Sequence, residues 1–377
     1  MSTGNAPSKR SRWTRSGRDT GTVLLEGIER GGLPLLLVVV FAFFALDSKT
    51  GTAFTSSANL DNILGNQSVT GLVALAMVIP LVSGYFDLSV SATCGIANIA
   101  TAATIGTHHW PIAGGILFAL FLGGLIGFFN GFLVAKVRLN AFVVTLGAYT
   151  LLQGLAQLYT QGELIINGIP ESFTSWGTKD WLGVPRPFIL LLAAGLVVWY
   201  ILTQIPFGRY VEGIGSNESA ARLVGIKVDR TIWISFVISG VIAGAAGVLQ
   251  TSRAGNAGPE AASAFLFPAF AAVFLGATTI QPGRYNVWGT IIGVYFVAVS
   301  VSGFTLMGAS IWVQPVFNGA SLIVAVALST LIARSRDRRM ASAVSDDGGG
   351  SPPGLAEGGA GPATPEQGGL GRRADSG

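Results

Sequence analysis

The chain has 377 residues, of which 23 are Lys or Arg, 19 are Asp or Glu and 2 are His, for a formal net charge of +4. Charged residues make up only 11% and the mean hydropathy is +0.58, too few solvating groups to cover a water-soluble globule, which places the chain in a lipid bilayer. The single cysteine, Cys94, excludes an intrachain disulfide and a Cys-based zinc site.

In chain order, a basic segment comes first, residues 1–30, with Lys9, Arg10, Arg12, Arg15 and Arg18 placed to lie against anionic lipid. Ten charge-free stretches follow: 33–46, 63–82, 90–105, 111–134, 141–159, 188–202, 231–249, 265–280, 287–304 and 312–333. Polar flanks extend the shorter ones toward the roughly 20 residues that cross a bilayer as one helix. The expected fold is therefore all-α and polytopic, with about ten transmembrane helices between residues 31 and 335. Leu46-Asp47-Ser48 after the first stretch lacks a small-residue cleavage pattern, so that stretch is read as a retained span. Residues 336–377 close the chain; the last 38 residues contain 11 Gly and 4 Pro, a composition that predicts disorder.

Basic residues give the expected orientation. With ten spans and a cytoplasmic N-terminus, 19 Lys and Arg fall on the inner side and only Lys49, Lys179, Arg186 and Arg253 on the outer side. Both termini are then cytoplasmic. The longest inner loop, residues 203–230, contains GIGSNESAARLVGIKVDR. Asn217 is placed to cap a short helix from Glu218 to Val224, and Gly225 to end it. Glu218 and Arg222 stand in the favourable i, i+4 order. A helix of seven residues, about 10 Å long, is unstable alone in water, so something must hold it. Ala220, Leu223 and Val224 share a face, which suits either an interfacial helix or one docked into another protein.

Several motifs decide between these. GSNESAARLVGIKV resembles the cytoplasmic signature of the permease subunits of bacterial ATP-binding-cassette (ABC) monosaccharide importers of the ribose and xylose type, with Ser216 in place of the usual glycine. Asn59-Leu60-x-Asn62-Ile63-Leu64, Ser83-Gly84-Tyr85-Phe86-Asp87-Leu88-Ser89-Val90, Phe142 to Gly147, and the run from Gly276 to Gly293 resemble further elements of that family in order, over about residues 59–333. Tyr85, Ser91, Ala277 and Tyr285 depart from its small residues, and Phe267-Pro268-Ala269 from a commoner acidic stretch. The resemblance implies that Gly213, Asn217, Glu218, Ala220, Ala221, Arg222, Leu223, Gly225 and Ile226 form a coupling helix docked into an ATPase subunit. It also implies an extracytoplasmic sugar-binding protein, a homodimer, an inner-membrane location and an inverted repeat of spans 2–5 and 7–10. Glu163, Glu171, Lys179 and Asp180 in the outer segment 160–187 offer the binding protein a surface.

No phosphate-cradling GxxxxGK[ST] loop is present: only Lys49 of five lysines precedes a hydroxyl residue, and Ser48 and Phe43 hold its glycine positions. ATP and Mg are therefore expected in a partner, and no cofactor, metal, catalytic residue or nucleic-acid partner is assigned to this chain. The alternative is an ion-coupled secondary transporter of a small polar solute, disfavoured because none of the ten stretches holds an ionisable residue for a proton relay.

Asn66, Gln67, Asn98, Asn130, Thr145 and Asn318, with Gln153 and Gln157, are the polar span residues from which a sugar pathway would be drawn. Asp87 and Ser89 read as a turn, the carboxylate satisfying backbone donors. His108 and His109 lack a third ligand nearby and read as an outer turn, with Trp110 in an aromatic belt alongside Trp176, Trp181 and Trp312. Gly123, Gly127 and Gly131, Gly240 with Gly244, and Gly289 with Gly293 recur every four residues, a spacing that lets helix backbones approach in lipid.

Overall fold

The computed structural model describes residues 20–328 and residue 330; the basic run 9–18 and the segment 336–377 lie outside the described residues. The helices are α1 (Thr20–Leu46), α2 (Gly51–Phe54), α3 (Ser57–Val82), α4 (Ser89–Ala102), α5 (Ile112–Ala135), α6 (Ala141–Thr160) and α7 (Glu171–Thr178), then α8 (Arg186–Thr203), α9 (Pro206–Ser216), α10 (Glu218–Leu223), α11 (Val228–Ala254), α12 (Ser263–Gly276), α13 (Val287–Leu306) and α14 (Val313–Leu328). A two-residue hairpin, Asp180–Trp181 with Val184–Pro185, is the single sheet among the described residues. The chain is an all-α polytopic membrane protein.

Seven helices among the described residues are long and apolar enough to cross a membrane: α3, α5, α6, α8, α11, α12 with its preceding 3-10 turn, and α13. The other predicted spans fall on the shorter apolar helices Gly31–Leu46 and α14, and on α4, which continues into a π-helical turn at Ala103–Thr107. α4 carries Ser89, Ser91, Thr93, Asn98 and Thr101, all buried. A helix enclosed by protein meets its polar groups with neighbours rather than lipid, so it need not be apolar all round.

Two helices form the centre. α3 is buried over most of its length and packs on α8, α12 and α13, while α11 packs on α3, α4 and α5. The glycine stripes account for the closest of these contacts. A Cβ on Gly123 would stand 2.3 Å from the Gly240 carbonyl oxygen, and one on Gly127 would stand 2.2 Å from that of Phe236, so α5 and α11 touch backbone to backbone. Gly289 and Gly293 meet the Gly276 and Ala272 carbonyls in the same way, joining α13 to α12. In lipid, where apolar side chains gain little by leaving the solvent, such close packing is what drives helices together.

Loops gather at two opposite ends. Residues 83–88, 136–140, 204–227 and 277–286 meet at one end, through Tyr85 to Glu218, Arg138 to Asp229 at 3.9 Å, and Arg284 to Glu212. At the other end Ile165 bridges Ala257, Ser252 Oγ donates to the Phe173 carbonyl at 2.6 Å, and Gly106 packs on Gly168. His108, His109, Trp110, Trp176 and Trp181 are exposed at this second end.

Two boundaries differ from the sequence reading. α1 is described from Thr20, and residues 20–30, read by sequence as part of the basic segment, are helical. α11 runs to Ala254, which brings Arg253 from a loop into its last turn; Gly255, at φ 65°, ends the helix instead.

Candidate coupling surface and polar cavity

The end that carries the basic loops is organised around α9 and α10. Pro206 opens α9, whose Val211 and Ile214 are buried, and its Gly215 lies so close to the Val82 carbonyl that a Cβ would overlap it at 2.0 Å. The chain breaks at Asn217, which turns extended at φ −160°, ψ 103°, and its Oδ1 accepts the Ala220 N–H at 3.0 Å. α10 then runs for six residues and stops at Gly225, held at φ +85°, where an L side chain is strained. The Ile226 N–H returns to the Ala221 carbonyl at 3.0 Å, closing the helix end.

What holds so short a helix is visible in its contacts. Ala221 is buried in a cluster with Val134, Ala141, Ile214, Val228, Ile232 and Phe236, and Ile226 packs against that cluster. Gly213 lies on α9 with its α-carbon face against Ile226. Glu218 accepts the Tyr85 hydroxyl at 2.8 Å and Arg222 Nη2 at 2.8 Å; Arg222 Nη2 also donates to Asp229 at 2.6 Å. The Arg222 hydrogen bond, then that of Tyr85, lowers the Glu218 pKa below its ordinary value. Burial, followed by the Glu218 hydrogen bond, raises that of Tyr85. Outward, Leu223 is 88% and Val224 76% exposed, and Ala220 is exposed beside them. Large aliphatic side chains at the tip of an anchored, capped helix form a knob suited to a partner's groove.

Asp87 lies at the same end, 3% exposed. One carboxylate oxygen accepts the Ser89 N–H at 3.1 Å and the Ser89 hydroxyl at 2.6 Å; the other accepts the Ser239 hydroxyl of α11 at 3.1 Å. Asn130 of α5 donates to Ser89 Oγ at 2.8 Å, so a chain of polar contacts joins the 83–88 turn to α4, α5 and α11. Burial raises the Asp87 carboxyl from 3.8 to about 6, against the downward pull of the Ser89 and Ser239 hydrogen bonds.

The pathway candidates divide into two groups. Asn98 donates to Thr251 Oγ1 at 2.8 Å and so ties α4 to α11; Asn130 ties α5 to α4; Thr145 donates to its own helix at Ala141, with the Phe86 carbonyl within 3.4 Å. Gln153 donates to Tyr149 on α6, and Gln157 is exposed. Asn66, Gln67 and Asn318, by contrast, line one cavity of about 340 Å³ near the second end of the bundle. Its walls come from α3, α11, α12, α13 and α14, and they add Thr70, Gln250, Arg253 and Gln314, which the sequence reading did not select. By sequence, Gln250 lies one residue beyond the charge-free stretch 231–249, and Arg253 counts among the outer-loop charges. Arg253 donates to Asn66 Oδ1, to the Gly177 carbonyl at 3.0 Å and to the Asp61 carbonyl at 3.4 Å. Gly65 lies directly beneath the guanidinium, where any Cβ would overlap it.

The family profile described as branched-chain amino acid transport system / permease component matches residues 59–326. The chain belongs to this permease family. The ribose import permease protein RbsC of Haemophilus influenzae is 33% identical over 309 residues, covering 81% of this chain and 93% of the relative. The L-arabinose transport system permease protein AraH of Escherichia coli is 32% identical over 294 residues, 77% of this chain and 88% of the relative. The D-allose permease AlsC of the same organism is 28% identical over 306 residues, 81% and 93%. No solved structure matches. The likeness to ABC monosaccharide-importer permeases drawn from the motifs is the one these relatives return, and such permeases are transport components rather than enzymes.

Proposed function

We propose that this permease forms the membrane pathway of an ABC importer in the bacterial inner membrane, carrying a monosaccharide of the ribose, xylose, allose or arabinose kind. Two copies of the chain form the unit, each with ten crossings in two inverted sets, spans 2–5 and 7–10. The crossed packing of α3 on α12 and α13, and of α11 on α4 and α5, supports that pairing. The end bearing α9 and α10 faces the cytoplasm, consistent with its basic loops, and both termini lie there.

An ATPase subunit, which binds ATP and Mg, grips residues 213–226. An extracytoplasmic binding protein delivers the sugar at the opposite end, where Glu163, Glu171, Lys179 and Asp180 are exposed. Closure of the ATPase pair moves α10. That motion passes through Tyr85 to the 83–88 turn, and from Asp87 to α11, exchanging which side of the pathway is open. The observation that carries this reading is the exposed Leu223–Val224 knob on a helix anchored by Glu218, Arg222 and Ala221.

Substitution of Glu218 or Gly225 is the test, in proteoliposomes holding the permease with its ATPase and binding protein. Glu218→Gln and Gly225→Val should leave ATP hydrolysis running while sugar uptake falls. Wild-type uptake by both variants with the ATPase bound overturns the docking assignment.

A further inference from the structure

The cavity beside α14 has a donor and acceptor inventory that the protein does not use. Gln67, Gln250 and Gln314 line it, and among the described residues none of their side-chain amides makes a hydrogen bond to the protein. Asn318, 6% exposed, keeps its Oδ1 buried without a partner. Thr70, on the floor, is thirteen residues from the start of α3 at Ser57, about 20 Å by helical rise, so the cavity reaches well into a hydrocarbon layer roughly 30 Å thick. Gln67 lies ten residues into α3, and the Asn318 Oδ1 is enclosed; a carboxamide so placed is costly unless something donates to and accepts from it. Asn130 is met by Ser89 of a neighbouring helix, whereas Asn98, whose Nδ2 donates to Thr251, keeps its own Oδ1 unmet.

Arg253 sets the charge of the mouth. It has no carboxylate within 4 Å, since the ion pairs among the described residues involve Arg138, Arg222 and Arg284 only. Its contacts to Asn66, Gly177 and Asp61 employ three of the five guanidinium N–H groups, leaving two to point elsewhere. Apolar wall is supplied by Phe265, Pro268, Val297 and Val301. A volume of about 340 Å³ is at the small end of the ~300–1,000 Å³ range of small-molecule pockets, which suits one small solute.

We propose that this cavity, lined by Gln67, Gln250, Arg253, Gln314 and Asn318, is a transit site for a single neutral sugar, and that Arg253 turns away cationic sugars. A sugar hydroxyl donates and accepts like a carboxamide, so a ring of hydroxyls satisfies free amides without bringing in charge. Its C–H face meets the Phe265–Pro268 wall. An ammonium-bearing sugar would meet a guanidinium that no carboxylate reaches within 4 Å, Asp61 and Asp180 acting on it only from farther away, and be repelled. This deepens the transport assignment above and rests on it for the class of solute.

Gln314 is exposed at the cavity rim, and Cys94 is buried, so Gln314→Cys in the full-length permease in lipid nanodiscs offers a thiol with little background. The readout is its rate of modification by a methanethiosulfonate reagent, with Gln250→Cys as a second position and Leu182→Cys, at the exposed hairpin, as the control. With a millimolar-class Kd of ~10 mM, D-ribose, D-allose or L-arabinose at ~50 mM should slow the cavity positions about sixfold and leave the control unchanged. D-glucosamine should protect neither position. Absence of protection by every neutral sugar at both positions, or equal protection by D-glucosamine, overturns the proposal. ATP-driven uptake by the whole complex is measured in parallel: uptake without protection sinks the site alone, and protection without uptake sinks the importer reading alone.

Discussion

Replacing Tyr85 by Phe separates the seating of the coupling helix from its docking, because the ring and its packing remain and only the hydroxyl is lost. That hydroxyl donates to Glu218 Oε2 at 2.8 Å, joining the α3–α4 turn to α10. A hydrogen bond to a charged acceptor contributes about 1.5–3 kcal/mol when enclosed. The Glu218 side chain is 42% exposed, so water replaces part of the interaction, and about 1 kcal/mol is the appropriate expectation. Arg222 still holds Glu218 and Asp229, and Ala221 stays buried, so α10 should remain folded but leave its seat about five times more often. Hydrogen exchange of the amides from 218 to 226 reads this directly, as an increase of about fivefold confined to that segment. In the reconstituted importer the same variant should bind ATPase normally and consume more ATP per sugar. Unchanged exchange at 218–226 together with an unchanged ATP-to-sugar ratio would refute the claim that Tyr85 transmits motion from α10.

Two further outcomes follow from the buried contacts. The Asp87 pKa is raised in the fold, from 3.8 to about 6, so the stability linked to its proton is complete below pH 3.8 and is lost as pH rises through about 6. The detergent-solubilised permease should therefore melt a few degrees higher at pH 5 than at pH 7.5, about 1 kcal/mol, and Asp87→Asn should flatten that difference; an identical pH profile in the variant shows that another group is responsible. Gly127→Val sets two methyl groups beyond a Cβ that already stands 2.2 Å from a backbone carbonyl of α11. Backbone cannot swing aside as a side-chain tip does, so the cost should be at least about 3 kcal/mol, seen as loss of folded protein on size-exclusion chromatography, whereas Gly147→Val, with open space around it, should be recovered normally.

Much of this architecture is written in local chemistry. Charge-free stretches, the bias of Lys and Arg between loops, the Asn217 cap and the Gly225 stop each depend on residues adjacent in sequence, and all are read without knowing what lies beside them. The glycine stripes are local too, although that Gly123 and Gly127 serve α11 in particular emerges only when the helices are packed. What the tertiary structure alone decided is partnership. Asn98, Asn130, Asn66 and Asn318 are the same residue type, yet Asn98 and Asn130 tie helices together, Asn66 lines the cavity while accepting from Arg253, and Asn318 lines it with its Oδ1 unmet, because the outcome depends on which residue of another helix reaches the amide, as Thr251 does for Asn98 and Ser89 for Asn130. Arg253 lines the cavity, with no carboxylate within 4 Å, because α11 continues to Ala254 and sets it over Gly65. A polar side chain within a membrane announces that it needs a partner; the identity of that partner is a property of the packed bundle.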